Sequence, residues 1–333
     1  MRKEIEALIE SNRPKDGKKE ILNHLEKLSK ELQSKEDLLK VYQAPHRKVK
    51  SIIAPKETDK DEGTVLSLLS DIHVEHKVTF DQTNGINEQT PDIATRKLQN
   101  YFINLVKRTV KNRRDINLNS LLMGWLGDFI HGFIHEEYLR TNYMTPPEAT
   151  LFIIEHLEAG LNYLIKNGGF TDISIVCKPG NHSRTTKRVY TDEEALYSYE
   201  WAIYKILEKR FPQINWLIEI NYMSYFTVYD KLIRFHHGHA FKYQGGIGGI
   251  YVPLLRYNLR VDQQRKADLT CLGHWHTADW LRNTKTLING SVVGFDAFAQ
   301  RMGFQPEPPQ QQLLIIDSKR GFTTNEPIIL EEK

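Results

Sequence analysis

The sequence predicts an α/β layered fold preceded by a helical segment. From residue 64, short apolar runs typical of buried strands alternate with stretches of helical periodicity, in the order β-α-β-α-β-α up to residue 210. After residue 214, short strands dominate. Charged residues make up 28 of the first 63 residues but only 59 of the remaining 270. We therefore expect a helical N-terminal extension and linker at 1–63 and a main domain at 64–333.

Apolar residues in the N-terminal extension follow a 4-3-4-7-3 spacing, which places them on one stripe of a helix. They are Ile21, Leu25, Leu28, Leu32, Leu39 and Tyr42. Ser34 followed by Asp37 resembles a capping box and predicts the start of a new helix, which Pro45 ends. We expect two or three short helices, then a loop through 52–55 and a charged linker at 56–63.

These helices suit three different roles. They could form a cap packed on the main domain, or a helix pair through which two copies of the chain dimerise. They could also form a small helix-turn-helix in which the basic segment 46–50 contacts DNA. The sequence leaves all three open.

The apolar pattern bounds each element of the main domain. The run 64–70 suits a strand buried on both faces, and later helices place apolar residues three and four positions apart. In chain order, the sequence predicts strand 64–70, helix 92–113, strand 121–126, helix 147–166, strand 172–177, helix 192–210, and strands 216–220, 225–229, 232–236, 269–272, 286–289 and 313–317.

Composition excludes several classes of protein. The 26% charged and 40% hydrophobic content is ordinary for a globular chain, and no apolar run approaches the ~18 residues that a membrane span needs. Without an apolar leader segment, we expect a cytoplasmic protein. Cys177 and Cys271 lack CxxC spacing, which excludes a disulfide scaffold or a cysteine zinc site. The net charge of +3 does not by itself indicate nucleic-acid binding.

Polar residues with metal-binding chemistry follow five of the predicted core strands. These are Asp71-Ile72-His73, Gly127-Asp128, Gly180-Asn181-His182, His236-His237-Gly238-His239 and Gly273-His274-Trp275-His276. Ligands of open α/β sheets collect outside the carboxyl ends of the strands. We therefore expect these side chains to converge on one point.

The donor types predict a centre of two metal ions. Imidazole, carboxylate and amide groups without thiolate suit Mn, Fe or Zn. Two ions ~3.5–4 Å apart need about seven protein ligands with one shared, and Asp128 on its glycine turn could bridge them. In both Asp71-x-His73 and His274-x-His276, alternation along an extended segment puts the two side chains on one side. Each fragment alone is a weak signal, but five in order are not.

This series of motifs resembles the calcineurin-like metallophosphoesterase superfamily, from Asp71 to His276. The resemblance implies a four-layer α-β-β-α fold, in which helices flank a two-sheet β-sandwich with a dinuclear centre at the strand ends. It implies that Asp71, His73 and His276 bind the first metal, that Asp128 bridges, and that Asn181, His237 and His274 bind the second. It assigns protonation of the leaving group to His182, and the choice of His237 over His236 follows the H-G-H alignment.

Longer stretches resemble members encoded by tailed bacteriophages and, more distantly, the SbcD-type DNA-repair nucleases. They are the segments 127–137 and 180–184, the glycine-rich run 245–249, and Asn289-Gly290-Ser291. If the chain is phage-encoded, its cytoplasm is that of the host.

These features predict a metal-dependent phosphodiesterase that acts on nucleic acid, as a DNA exo- or endonuclease. We expect two divalent ions, Mn²⁺ first, with Fe, Zn, Ni, Mg or Co as alternatives. Basic residues beside His182 would contact the nucleic acid backbone; they are Lys178, Arg184, Lys187 and Arg188. His131 and His135 would line the pocket, and the run 245–249 would contact a phosphate or form a lid. The alternatives are a phosphoesterase for small nucleotides or phosphoproteins, and a non-catalytic binding module.

Overall fold

The computed structural model describes residues 19–43, 60–242 and 249–331, together with Ala7. The chain divides into two units, Met1–Thr58 and Asp59–Lys333. The domain boundary that the sequence predicts after residue 63 stays a prediction. None of the described helices is long and apolar enough to cross a membrane.

The first described helix, α1 (Lys19–Gln43), is continuous over 25 residues. The expectation of a new helix at Ser34 is therefore wrong, because the chain passes through Ser34 and Asp37 without a break in the helix. Gln33 Nε2 donates to Asp37 Oδ1 at 2.9 Å, a pair one turn apart that supports the helix here. The basic segment 46–50 and the loop 52–55 lie outside the described residues.

The strands of the second unit are numbered in chain order. They are β1 (Glu62–Leu69), β2 (Asn117–Trp125), β3 (Asp172–Cys177), β4 (Asn215–Ile218), β5 (Ser224–Val228), β6 (Lys231–His236), β7 (Leu269–Leu272), β8 (Asp279–Leu281), β9 (Thr286–Ile288), β10 (Gln310–Gln311), β11 (Leu313–Asp317), β12 (Gly321–Asn325) and β13 (Ile328–Ile329).

The later helices are also numbered in chain order. They are α2 (Pro91–Asn112), α3 (Tyr138–Thr141), α4 (Pro146–Asn167), α5 (Tyr199–Arg210), α6 (Tyr251–Asp262) and α7 (Ala297–Met302). Caps set several of their ends: Thr90 Oγ1 accepts from Ile93 N before α2, and Asp296 Oδ1 accepts from Ala299 N before α7.

Most strands form two sheets. A six-stranded sheet has the order β12-β11-β1-β2-β3-β4, in which β1 to β4 are parallel. A five-stranded sheet has the order β5-β6-β7-β9-β8, in which β6, β7 and β9 are parallel. The small pair β10-β13 stands apart from both. The parallel strands of each sheet bring several carboxyl ends to one edge.

Strand alternation distributes the apolar side chains between layers. On β1, Val65 and Leu69 join the core that packs against α2, α4 and α5. Leu66 and Leu68 point the other way, into a core shared with Phe235 of the second sheet. A third core joins β7 and β9 to α6. The layers are therefore helices, sheet, sheet and helix, and the α/β class with two sheets flanked by helices is confirmed.

The predicted helix 192–210 is shorter than expected. The helix α5 begins at Tyr199 because Ser198 caps it, its hydroxyl accepting from Glu200 N at 3.1 Å. Before it lies a single 3-10 turn at Glu194–Tyr197. Sequence reasoning also missed α6, which covers the outer face of the five-stranded sheet.

Candidate metal centre

The five predicted strand ends meet at one edge of the sandwich. Asp71 follows β1, Asp128 follows β2 and Asn181 follows β3 in the first sheet. His237 follows β6 and His274 follows β7 in the second. Ion-pair and hydrogen-bond distances join residues of both sheets. The sequence-based expectation of convergence therefore agrees with the structure.

Five of the site residues have a left-handed backbone. They are Asp71, His73, Asp128, His274 and His276, with φ between 46° and 70°. This conformation is uncommon for residues other than glycine and costs of order 1–3 kcal/mol each. Among the described residues only three other non-glycine positions share it. Backbone strain is therefore concentrated at this edge, as it is at many functional sites.

Asp71, His73 and His276 form a first group, whose potential ligand atoms all lie within 4.8 Å of one another. His276 Nε2 is 3.4 Å from Asp71 Oδ1, and His73 Nε2 is 3.3 Å from His276 Nε2. Asp71 and His73 are buried, whereas the His276 side chain is 29% exposed. This group is therefore open to solvent on the side of His276.

Asp128, His237 and His274 form a second group within the same 4.8 Å limit. Asp128 Oδ2 is 3.0 Å from His237 Nε2 and 3.9 Å from His73 Nε2, so it faces both groups. Asn181 Oδ1 lies 3.1 Å from His237 Nε2 and joins this second group. His237 Nδ1 lies 2.6 Å from the Leu126 carbonyl, to which it donates, and this leaves Nε2 to face Asp128 and Asn181.

His182 forms a third cluster with His131 and with His73 of the first group. Its backbone N donates to Asp128 Oδ1 at 2.8 Å, and its Nδ1 is 3.1 Å from the His131 carbonyl oxygen. His131 Nδ1 is 3.0 Å from His73 Nδ1. The Tyr138 ring stacks on His182 at 5.9 Å between centroids. His131 is therefore buried against a residue of the first group, and its contact with substrate stays a prediction.

The donor set fits divalent metal ions. Burial, reinforced by neighbouring imidazoles, holds the pKa of His73, His131 and His274 well below the usual range. These rings are therefore neutral at physiological pH, and the neutral imidazole is the form that coordinates a metal. His131 Nε2 is buried without a hydrogen-bond partner.

Asp128 and His237 are charged partners in the absence of a metal. Burial alone would raise the pKa of Asp128, but the imidazoles of His237, His182 and His73 outweigh it and hold the pKa well below its usual range. Burial opposes protonation of His237, but Asp128 reverses that effect and raises the pKa to about 10. A carboxylate that stays ionised at the centre of the site suits a ligand shared between cations.

Two buried carboxylates that sequence reasoning missed organise the loops. Glu200 on α5 accepts from Phe129 N at 2.5 Å and from Gly180 N at 2.7 Å, which ties the loops of Asp128 and Asn181 together. Glu75 accepts from the backbone N of His131 and of Gly132, at 2.9 and 2.8 Å. Burial raises the pKa of Glu200 to about 8 and that of Glu75 to about 7.

A sequence signal for Glu200 was available. The buried positions of α5 are Glu200, Ile203, Tyr204 and Leu207. This is the i, i+3, i+4, i+7 stripe of an amphipathic helix, and a carboxylate on that stripe needs a buried partner. Gly180 shows how close the loops are, since a Cβ there would lie 2.0 Å from Asp128 Oδ1.

Other candidate histidines lie outside the groups. His236 turns away from them: its Nδ1 is 3.4 Å from Tyr222 OH, and burial lowers its pKa to about 3. His239 Nε2 is 2.8 Å from Glu194 Oε1. His135 is exposed, with its ring against Tyr138 at 5.0 Å, and is not brought into the centre.

The basic patch expected beside His182 is only partly present. Lys178 is 1% exposed, and its Nζ donates to backbone carbonyls of Glu219 and Asn221 and to Ser224 Oγ. Its assignment to a surface patch is therefore wrong. Arg184 Nη1 donates to the Asn181 carbonyl at 2.6 Å, so it braces the loop. Lys187 and Arg188 are exposed. Of the glycine-rich run, only Gly249 lies among the described residues.

Several solved structures are distantly similar. An archaeal phosphodiesterase gives a TM-score of 0.38 at 11% identity, over 80% of this chain and 99% of that one. Vps29 from Entamoeba histolytica gives 0.35 at 12% identity, over 80% and 98%. A predicted phosphoesterase from Streptococcus pneumoniae gives 0.30 at 11% identity, over 80% and 98%.

No protein-family model matches this chain, and no curated protein matches it. The similar structures are distant from this chain in both sequence and geometry.

Proposed function

We propose that this chain is a phosphoesterase that uses two divalent metal ions to hydrolyse phosphodiester bonds, and that its substrate is nucleic acid. The observation that carries the proposal is the meeting of Asp, Asn and His side chains from five strand ends in two adjacent groups. No position expected to ligate a metal has been replaced by a residue without a donor. A binding module with a degenerate site would not need this complete set.

The proposal assigns each ligand to an ion. Asp71, His73 and His276 would hold the first, and Asn181, His237 and His274 the second, with Asp128 shared between them. Two divalent cations held there would neutralise charge on the phosphate and lower the pKa of a nearby water. We expect Mn²⁺ to occupy both positions. Fe, Zn, Ni, Mg and Co have similar ligand preferences and would compete with it for the same site.

The protein's own contribution to bond cleavage is orientation and proton transfer. His182 Nδ1–H donates to the His131 carbonyl, so when the ring is protonated it is Nε2–H that would give its proton to the leaving oxygen and leave the ring neutral. Burial lowers the pKa of His182, and the carboxylate of Asp128 opposes that shift. His182 also donates its backbone N–H to Asp128, and this bond fixes the position of the proton donor relative to the shared carboxylate.

Lys187 and Arg188 support nucleic acid as the substrate, because both are exposed on the loop that follows His182. A polyanionic backbone crossing the site would contact them. Lys178 and Arg184 favour the second candidate, a phosphoesterase for small nucleotides or phosphoproteins, because both bond backbone carbonyls rather than face a long substrate. The phage and SbcD-type affinity, the cytoplasmic location and assembly through N-terminal helices stay predictions.

Cleavage of end-labelled linear DNA, single- and double-stranded, with added Mn²⁺ tests this proposal. We expect cleavage by the wild type and none by Asp128→Asn protein, and the product ladder distinguishes exo from endo action. If the wild type leaves DNA intact but hydrolyses a small phosphodiester or a nucleotide, the second candidate holds. If it hydrolyses none of them, the enzymatic proposal is wrong.

A further inference from the structure

A buried chain of hydrogen bonds leads from strand β9 to the carboxylate of Asp71. Asn289, the first residue after β9, donates from Nδ2 to Ser70 Oγ at 2.8 Å. Ser70 Oγ in turn donates to Asp71 Oδ2. All three residues are fully buried, with 0% of each exposed. The chain therefore connects the ends of strands from both sheets behind a residue of the first group.

The direction of this chain is fixed by the surroundings of the Asn289 amide. Its Nδ2 also donates to Gln311 Oε1 at 2.7 Å, and its Oδ1 accepts from Gln312 N at 2.8 Å. A flipped amide would set its NH₂ against the N–H of Gln312 and its oxygen against the oxygen of Gln311. Gln311 is fixed as well, because its Oε1 accepts from Ser70 N at 2.8 Å. Asn289 can therefore only donate to Ser70.

This direction determines what Ser70 does to Asp71. A serine hydroxyl has one hydrogen, and since Ser70 already accepts from Asn289, its hydrogen is given to Asp71 Oδ2. The backbone N of His274 donates to both oxygens of Asp71 at 3.0 Å. Oδ2 is thus held from two sides, whereas Oδ1 faces His276 Nε2 at 3.4 Å.

The packing around this chain leaves no room for another arrangement. A Cβ at Gly273 would lie 2.6 Å from both Asp71 Oδ2 and Ser70 Oγ. The loop after β7 therefore closes directly on the Ser70–Asp71 pair, and glycine is what permits the approach. With this side closed, the carboxylate cannot rotate to another pair of partners without moving backbone.

We propose that Asn289 is a positioning residue, which acts through Ser70 to hold Asp71 with Oδ1 turned toward a metal ion shared with His73 and His276. This inference rests on the proposed function, because it needs a cation at the first group. Residues that orient a metal ligand without touching the metal typically change metal affinity by ~10–100-fold when they are replaced. The second group meets this chain of bonds at the backbone N–H of His274, which the substitutions below leave in place, so its affinity should not change.

Isothermal titration calorimetry, in which Mn²⁺ is added to metal-free full-length protein, tests the inference. The proteins compared are the wild type, S70A, N289A and the S70A/N289A double variant, with S67A as a matched control. Ser67 is an equally buried serine of β1 whose hydroxyl bonds Tyr101 OH at 2.8 Å and the Gln312 carbonyl at 3.4 Å. Among the described residues it makes no direct hydrogen bond to Asp71, Ser70 or Asn289. Thermal unfolding of each metal-free form shows whether a variant is folded.

We expect two Mn²⁺ per wild-type chain, and a ~10–100-fold weaker affinity at one site only in S70A and in N289A. The double variant should be no weaker than S70A alone, because Asn289 acts through Ser70. Unchanged affinity in S70A, additive losses in the double variant, or an equal loss in S67A would overturn the inference. If N289A does not fold, S70A against S67A still decides whether this chain holds Asp71. A wild type that binds no Mn²⁺ would instead overturn the proposed function itself.

Discussion

Asp71 and Asp128 occupy matching turns, but different chemistry braces them. Each follows a parallel strand of the same sheet, and each has a φ of 54°. Behind Asp71 lies a neutral chain of hydrogen bonds through Ser70 and Asn289. Beside Asp128 lies Glu200, a carboxylate that accepts two backbone N–H groups.

The two sets of bracing residues differ in the direction of their hydrogen bonds and in whether they contain an acidic group. An amide and a hydroxyl donate in a fixed order, so the Asp71 side depends on each donor keeping its orientation. The Glu200 carboxyl accepts through both oxygens and is ionised above its pKa of about 8, so the Asp128 side depends on two N–H groups that point at one buried acidic side chain. The two halves of the centre should therefore fail separately and under different substitutions.

The largest effect should come from His182, whose backbone N–H donates to Asp128. We expect His182→Ala to keep its metal but to hydrolyse an unactivated phosphodiester ~10²–10⁴-fold more slowly, since the leaving oxygen loses its proton donor. Hydrolysis of a p-nitrophenyl ester should fall less, because that leaving group departs without a proton. Steady-state rates on the two esters provide the comparison, and equal turnover by wild type and variant on the unactivated ester would rule out the acid role.

Glu200→Gln should weaken the second group most. Its amide keeps one acceptor but sets an NH₂ against the second backbone N–H. We expect a ~10–100-fold loss of Mn²⁺ affinity at the second group, whose Asn181 and Asp128 loops Glu200 joins, and a smaller loss at the first, which shares only Asp128. Calorimetric titration measures this, with Glu208→Gln as control because Glu208 lies on the same helix and pairs with Lys205 at the surface. If both groups weaken equally, the separate bracing of the two halves is wrong.

Two buried lysines should make the free energy of unfolding depend on pH. Burial lowers the pKa of Lys97, on α2, and of Lys178, directly after β3, to about 8. Unfolded lysine keeps its proton until about pH 10.5, so from pH 8 to 10.5 the unfolded chain binds more protons and the free energy of unfolding rises with pH. For Lys178 this rise is about 2 kcal/mol by pH 9.5.

Urea unfolding of metal-free protein at pH 7.5 and 9.5 measures that rise. Lys178→Met should lose the part of the rise that Lys178 contributes, because methionine does not titrate, and should keep the part from Lys97. Lys205→Met should keep the whole rise, because Lys205 is near the surface. If the free energy of unfolding rises by the same amount in wild type and in Lys178→Met, Lys178 does not titrate in this pH range.

The smallest effect concerns the substrate rather than the metal. Replacing Lys187 and Arg188 together by alanine should make DNA binding less dependent on salt. The slope of log K against log salt concentration should become shallower by about 0.9 for each lost phosphate contact. Hydrolysis of a small ester should not change. Fluorescence anisotropy at several salt concentrations measures the slope, with Lys209→Ala as a control for a basic residue on α5. An unchanged slope would remove this loop from the nucleic-acid path.

The residues that could be predicted are those whose position follows from local pattern. Strands 172–177, 269–272 and 313–317 match to the residue, because each is an apolar run with clear ends. The centre followed from the same strands, since the carboxyl ends of parallel strands share an edge.

The bracing residues could not be predicted from local pattern. Glu200 bonds a residue 71 positions away, and Asn289 bonds one 219 positions away. Lys178 shows the opposite error: its neighbours in sequence suggested a basic surface, but its side chain turns inward to carbonyls beyond β4. Such partners depend on how the two sheets pack, which a local sequence pattern does not specify.

The number of metal ions bound per chain shows whether the two groups hold two cations with Asp128 shared between them. Wild-type, Asp71→Asn and Asp128→Asn proteins would be loaded with Mn²⁺, dialysed free of excess ion, and analysed by elemental mass spectrometry. We expect two ions per wild-type chain, one in Asp71→Asn, and close to none in Asp128→Asn, because both ions depend on Asp128. A wild type without bound metal, or an Asp128→Asn protein that still holds two ions, would contradict it.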